Sequence, residues 1–190
     1  LVRICAFGAP RDIGGGAPRT LSDAPLDSRG GTWAPDGTIL FAPTANSGVF
    51  RIAATGGTAS PVTAFDKSRA ENSHRFPAFL PDGRHFLFMT RSARQEHWGL
   101  SIASLDSPAG KPLIDRTEWG AQFAPPGYIL FLRAGTLTAQ PFDLDRMSIT
   151  GSAASRFATD ARIRSVASLM GREVRTMTRM SKWGRCALDM

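Results

Sequence analysis

Residues 79–87 read Phe-Leu-Pro-Asp-Gly-Arg-His-Phe-Leu. Proline presets its own φ, aspartate accepts hydrogen bonds from the backbone that follows it, and glycine tolerates a positive φ. The Pro-Asp-Gly element therefore predicts a tight turn at residues 81–83. The apolar residues that follow it predict a strand that is buried on both faces.

The same element recurs at Trp33–Gly37 and Phe123–Gly127, although Pro126 replaces the aspartate in the last copy. The glycines of successive copies are 46 and 44 residues apart. Each turn precedes one apolar run and, after a polar stretch, a second one. The first runs are Ile39–Phe41, Phe86–Phe88 and Ile129–Phe131, and the second runs are Val49–Ala54, Leu100–Leu105 and Leu137–Phe142.

Each unit reads as four short strands, because glycine pairs supply a further turn before a last strand. Gly56-Gly57 precedes Ser60–Thr63, and Gly15-Gly16 precedes Pro18–Leu21. Four strands in about 40–45 residues is the size of one β-propeller blade. We predict an all-β chain, a partial β-propeller of about three complete four-stranded blades plus remnants. A β-sandwich of the same strands is the alternative, which the long regular spacing disfavours.

The predicted blades lie near residues 30–65, 75–115 and 119–158. Residues 1–29 are predicted to be the remnant of a preceding blade. Residues 159–190 form a basic tail, predicted to be either a short helix or disordered.

The net charge of +7 is concentrated in the C-terminal part of the chain. Residues 1–154 hold 15 Lys and Arg against 13 Asp and Glu, whereas residues 155–190 hold 8 against 3. Nucleic-acid binding favours a basic stripe on the folded body, so no nucleic-acid partner is expected. No run of 18 apolar residues is present, so any membrane attachment is expected through a segment outside this sequence.

The Pro-Asp-Gly turn with its apolar strand resembles the TolB-like, PD-type relatives of the WD-repeat propeller. The longer segment Glu71–Leu87, with Gly30–Trp33 and Ala124–Phe131, is most similar to propellers attached to bacterial serine/threonine protein kinases. The resemblance covers about residues 13–152. It implies a sensor module on the extracytoplasmic, periplasmic side of a bacterial membrane. The kinase, the membrane span and the remaining blades would then belong to a larger parent protein.

Catalytic motifs are absent from this sequence. Kinase catalysis needs a glycine-rich loop, a strand lysine and an Asp-Phe-Gly element, and propeller-bearing peptidases need a G-x-S-x-G motif. We therefore expect a non-catalytic binding module without a cofactor, with a protein or peptide as its partner. The alternative is an accessory propeller that gates a peptidase or hydrolase whose catalytic domain is missing here. His74, His85 and His97 match no metal-ligand spacing, so no metal site is predicted.

The first strand of a propeller blade lines the central channel, and the connections between blades open on one face. We predict those connections at residues 23–32, 65–76 and 115–122. The loops at residues 43–48 and 90–98 open on the same face. Function is often carried by such loops on a rigid scaffold. The candidate binding residues are Arg29, Lys67, Arg69, Glu71, Asn72, His74, Arg75, Arg91, Arg94 and Glu118.

Arg75 and Arg69 are the predicted leading anchors for an acidic or polar segment of a partner. The guanidinium fork binds carboxylates in a bidentate way. The alternative is that Arg75 pairs with Glu71 or a turn carboxylate and only holds the connection in place. Structural turn roles are predicted for Asp36, Gly37, Asp82, Gly83 and Gly127, and blade packing is predicted for Trp33, Phe79 and Phe123.

Overall fold

A computed structural model of the chain describes residues 2–6, 19–24 and 27–153. Across these residues the chain forms three four-stranded antiparallel sheets, one two-stranded sheet and a single short 3₁₀ helix, Gln95–His97. The prediction of an all-β chain with three four-stranded units is confirmed, and each of these units is called a blade below. The predicted tail at 159–190 lies outside the described residues.

The strands of each blade pair in sequence order, as in an up-and-down meander. The two-stranded sheet contains β1 (Val2–Ala6) and β2 (Arg19–Ala24). Blade 1 contains β3 (Gly31–Trp33), β4 (Thr38–Phe41), β5 (Phe50–Ala53) and β6 (Ser60–Pro61). Blade 2 contains β7 (Glu71–Phe79), β8 (His85–Ser92), β9 (Gly99–Ser104) and β10 (Ser107–Asp115). Blade 3 contains β11 (Gln122–Ala124), β12 (Tyr128–Arg133), β13 (Thr136–Asp143) and β14 (Ser148–Ile149).

The first strand of blade 2 is longer than predicted. It begins at Glu71, so the predicted connection at residues 65–76 is wrong after residue 70. Pairing with β8 extends both strands, which also places Thr90 and Arg91 on a strand rather than in a loop. The register shifts between Arg75 and Ala78. A bulge of this kind breaks the two-residue alternation that identifies a strand in a sequence.

The core lies between successive blades, because the second strand of each blade packs on both of its faces. Leu40 of β4 belongs to one cluster with Phe86 and Phe88 of β8. The intervening residue of β8, Leu87, packs in the next cluster, which contains Phe131 of β12. Side chains of a strand point alternately to opposite faces, so each apolar run supplies two interfaces. This explains why the runs are apolar without interruption.

The first two Pro-Asp-Gly turns form as their residues predict. The Asp36 carboxylate accepts a hydrogen bond from the Thr38 backbone N–H at 2.8 Å. The Asp82 carboxylate accepts two backbone N–H groups in the same manner. Gly37 and Gly83 have φ values of 90° and 65°. The third copy differs, because its Pro-Pro peptide is cis and Gly127 does not have a positive φ.

The aromatic residue that begins each repeated turn faces the preceding blade. Phe79 packs against the cluster between blades 1 and 2, and Phe123 packs against the cluster between blades 2 and 3. The packing role predicted for Trp33 is wrong, since its side chain is 40% exposed. On that side, the described part of the two-stranded sheet contributes Leu21 to the cluster that contains Phe41.

No helix within residues 2–6, 19–24 and 27–153 is long and apolar enough to cross a membrane.

Candidate functional site

The loops that join successive blades lie together on one face of the structure. The backbone N–H of His74 donates to the Ser47 carbonyl at 2.9 Å, so a loop of blade 1 is fastened to the first strand of blade 2. The Arg116 N–H donates to the Trp98 carbonyl at 2.8 Å, which fastens a further pair of loops. We call this surface the connection face, and it comprises residues 27–30, 42–49, 62–70, 93–98 and 116–121 together with the adjoining strand residues Arg75 and Arg91.

His74 is a buried structural residue rather than a surface residue. It is 1% exposed, and its ring contacts Phe65 and Phe88 at centroid distances of 4.9 and 4.6 Å. Its Nδ1 lies 2.8 Å from Thr63 Oγ1, and its Nε2 lies 3.1 Å from Glu71 Oε2. The prediction that His74 binds a partner is therefore wrong, because its ring is enclosed by blades 1 and 2.

The ionised carboxylate of Glu71 decides which ring nitrogen of His74 donates a hydrogen bond and which accepts one. Burial raises the pKa of Glu71, but hydrogen bonds from His74 and from the Asp66 N–H outweigh burial and hold that pKa below its ordinary value of 4.5. An ionised carboxylate only accepts, so Nε2 of His74 carries a hydrogen. For a neutral ring, Nδ1 then accepts from the Thr63 hydroxyl, whose oxygen accepts from the Val49 N–H at 2.9 Å.

We expect Glu71→Gln to make stability less dependent on pH. The lowered pKa of Glu71 means that its carboxylate stabilises the fold above pH 4.5 and loses this contribution as pH falls through the folded-state pKa. The difference in unfolding free energy between wild type and Glu71→Gln is expected to be largest at pH 7 and to shrink below pH 4.5. Urea denaturation at several pH values measures this difference. Glu118→Gln is the exposed control, and a difference that stays constant with pH contradicts the expectation.

Arg69 is held within the protein by an ion pair and by its backbone carbonyl, and its Nε is buried without a hydrogen-bond partner among the described residues. Its Nε lies 3.8 Å from Glu71 Oε1, and the Glu71 side chain is only 8% exposed. The Arg69 carbonyl accepts the Ser92 hydroxyl at 2.6 Å and lies 2.9 Å from Nδ1 of His97. These contacts fasten the connection between blades 1 and 2 to the far end of β8.

Arg75 holds a loop, although no carboxylate takes part. Its Nε donates to Ser73 Oγ at 2.7 Å, and its Nη2 donates to the Ala45 carbonyl at 2.9 Å. The Ala45 N–H in turn donates to Asp27 Oδ2 at 3.1 Å. The predicted alternative, in which Arg75 pairs with Glu71 or a turn carboxylate, is wrong as to its partner. The guanidinium nevertheless joins blade 2 to a loop of blade 1.

Arg91 lies next to Arg75 on the neighbouring strand. Arg91 is paired in register with Ser73, whose hydroxyl holds Arg75, and its guanidinium carbon lies 3.8 Å from the Trp98 ring centroid. Burial lowers the pKa of Arg75 and of Arg91, and the positive charge of Arg29 lowers both further. The charge of Arg91 lowers the pKa of Arg75 more than that of Arg29 does, and the negative charge of Asp27 opposes both. Three cations therefore share one region of the connection face.

Sequence reasoning missed one exposed aromatic residue of the connection face. Trp119 is 54% exposed, and its ring centroid lies 5.7 Å from that of Phe76. Counting back from the turn glycine would have identified Trp119, because it has the position in blade 3 that Arg75 has in blade 2. The exposed predicted residues are Lys67, Asn72, Arg94 and Glu118.

The opposite face carries short turns. A small pocket there is lined by Pro35, Asp36, Pro81, Asp82 and Gly83, and the Asp82 carboxylate also binds Nδ1 of His85. Both aspartates accept hydrogen bonds within their own turns, which accounts for their presence without a ligand. In the part of the chain that the structure describes, no group of three His, Cys, Asp or Glu side chains is arranged to hold a metal ion.

Comparison with known proteins identifies the fold. No family model and no curated protein sequence matches the chain. The structure of TolB from Acinetobacter baumannii matches with a TM-score of 0.52 and 20% identity, over 73% of this chain and 35% of that chain. A chain of the nidogen/laminin complex matches with a TM-score of 0.52 and 13% identity, over 70% of this chain and 51% of that chain.

These matches and the three meander blades establish a partial β-propeller. At such identities the likeness concerns the fold alone. The chain spans about half of the matched nidogen/laminin chain and about a third of TolB.

Proposed function

We propose that this chain is a non-catalytic binding module and that its connection face docks a polypeptide partner. The observation that carries the proposal is the contrast between the two faces. The connection face holds the longer loops, three neighbouring arginines and the most exposed large aromatic of the described residues, Trp119. The opposite face is formed by short turns whose carboxylates are already hydrogen-bonded.

The scaffold beneath the connection face suits a rigid binding surface. Its loops are fastened to neighbouring blades by backbone hydrogen bonds and by the buried side chains of His74 and Glu71. Because the loops of a preorganised surface are already ordered, binding costs little conformational entropy, so modest contacts suffice for specific binding. Binding residues are commonly found on loops held by such a scaffold.

The larger protein is proposed to be a bacterial serine/threonine kinase, with this propeller as its extracytoplasmic sensor. The resemblance of Glu71–Leu87 to kinase-attached propellers supports this assignment. The reading frame around this chain in the gene tests it. An upstream kinase domain followed by a membrane span supports the proposal, whereas a downstream hydrolase domain with a G-x-S-x-G motif contradicts it.

Site-directed photo-crosslinking tests the docking face. A photoreactive phenylalanine analogue is placed at Lys67 or Glu118 on the connection face, and at Arg84 or Thr58 on the opposite face, in the full-length protein in cells. All four positions are exposed, so the substitutions leave the core intact. We expect polypeptide adducts from the connection-face positions alone. Adducts of equal yield from both faces, or from the opposite face only, contradict the proposal.

A further inference from the structure

Two arginines and a tryptophan have the same position in the three blades. Arg29, Arg75 and Trp119 each lie eight residues before the glycine of their turn. The next residue in each blade is Gly30, Phe76 or Gly120. The repeat therefore places three large side chains at the same distance from the turn, on β7 in blade 2 and just before β3 and β11 in the other two blades.

The packing around Phe76 brings this level of the three blades together. A Cβ added to Gly30 would lie 3.1 Å from Phe76 Cδ1, and one added to Gly120 would lie 2.5 Å from Phe76 Cβ. The Phe76 N–H also donates to the Arg29 carbonyl at 2.7 Å. Phe76 is thus flanked by the connections that lead into β3 and β11. The residues one position earlier, Arg29, Arg75 and Trp119, consequently lie near one another on the connection face.

Arg29, Arg75 and Arg91 have no ion-pair partner among the described residues, and the negative charge that acts on Arg75 is that of Asp27. Among the described residues, no carboxylate oxygen lies within 4 Å of the guanidinium nitrogens of Arg29, Arg75 or Arg91. All three side chains are half-buried, and Nε of Arg91 is buried without a hydrogen-bond partner. Partly desolvated like charges disfavour one another, and an anion placed between them removes that cost.

The surroundings favour a single carboxylate over a polyanion. Asp27, Asp66 and Glu118 lie on the same face and repel the closely spaced phosphates of a nucleic acid. The exposed ring of Trp119 contacts Phe76 in a tilted arrangement and offers an apolar surface beside Arg75. A carboxylate next to an apolar side chain, as in an acidic peptide, matches both features.

We propose that Arg29, Arg75 and Arg91 bind an Asp or Glu carboxylate of a partner polypeptide, and that Trp119 covers an apolar side chain next to it. This inference rests on the proposed docking function of the connection face and specifies its chemistry. The sequence predicted Arg69 and Arg75 as the anchors for the partner. In the structure Arg69 contacts Glu71 and the end of β8. We therefore assign Arg29 and Arg91 as anchors beside Arg75.

A random hexapeptide display library, selected against the immobilised full chain, provides the probe. We expect the enriched peptides to share an acidic residue next to an aromatic or aliphatic one. A synthetic enriched peptide is then compared with its Glu→Gln (or Asp→Asn) analogue by fluorescence anisotropy. The loss of a charge-assisted pair is expected to weaken binding by about tenfold or more.

Variants of the chain assign the contact to particular residues. Arg91→Gln and Trp119→Ala are each expected to weaken peptide binding by about tenfold, whereas Arg116→Gln, an exposed arginine of the same face, leaves it unchanged. In the Arg91→Gln variant the Glu→Gln peptide change has a much smaller further effect. The peptide analogues leave the protein unaltered, so they test the proposal even where a variant folds poorly.

Several results overturn this inference. In the selection, these are the enrichment of peptides without acidic residues and the absence of any enrichment. In the binding assay, they are equal binding of the Glu and Gln peptides and displacement of the peptide by inorganic phosphate alone at equal concentration. If the crosslinks from Lys67 and Glu118 persist in such a case, the docking function stands and only its carboxylate chemistry fails. Crosslinks confined to Arg84 and Thr58 instead remove the docking function itself.

Discussion

Replacing His74 with Ala is expected to lower the free energy of unfolding by about 3–5 kcal/mol. The ring is 1% exposed and contacts Phe65 and Phe88, so its removal leaves a cavity between blades 1 and 2. The change also leaves the Thr63 hydroxyl and a Glu71 oxygen without their shared partner. Urea denaturation at pH 7, followed by circular dichroism, measures the loss.

His85→Ala is the matched control for this prediction. His85 also binds a carboxylate through its ring, but it lies at the partly exposed start of β8 and contributes to no buried cluster. Exposed pairs of this kind contribute about 1 kcal/mol or less. Losses of equal size for His74→Ala and His85→Ala would show that His74 does not join the two blades.

Replacing Phe131 with Ala is expected to cost about 3–5 kcal/mol, through the interface between blades 2 and 3. Phe131 is 1% exposed and lies in one cluster with Leu87 and Leu100. Its removal opens a cavity that residues of two blades surround, and paired strands cannot easily move to fill it. Equilibrium urea unfolding, with the slope held common to all variants, measures the change.

Two further variants test whether the lost stability comes from the cavity at Phe131 rather than from an overall disruption of the fold. Phe123→Ala, in the same cluster but only partly buried, is expected to lose about half as much as Phe131→Ala. Phe131→Leu retains most of the buried volume and is expected to cost less than about 2 kcal/mol. A Phe131→Ala loss no greater than that of Phe123→Ala would contradict the placement of Phe131 at the centre of this interface.

The fold was largely predictable because its signals are local. A turn such as Pro81-Asp82-Gly83 is specified by the φ preferences and hydrogen-bonding groups of its own residues. An apolar run such as Ile129–Phe131 indicates a strand covered on both faces wherever the covering residues come from. The repeat then fixes the number of such strands, so three blades followed from spacing alone.

The candidate site was less predictable, because exposure and pairing depend on distant residues. His74 and Arg75 are adjacent polar residues, and no local rule separates them. His74 is buried because blade 1 supplies Thr63 and Phe65 around its ring. Arg75 extends to the Ala45 carbonyl, thirty residues earlier in the chain.

The turns at Gly37 and Gly83 and the strands that pack between blades could be predicted from the sequence, because each depends on residues within about ten positions of one another. The period of the blades followed from the spacing of 46 and 44 residues between the turn glycines. The burial of particular polar residues, and their meeting on the connection face, depend on how the blades pack. Arg29 lies near Arg75 because Phe76 packs against Gly30, and Arg91 lies near Arg75 because β7 pairs with β8. Such a meeting depends on blade geometry, which no local preference encodes.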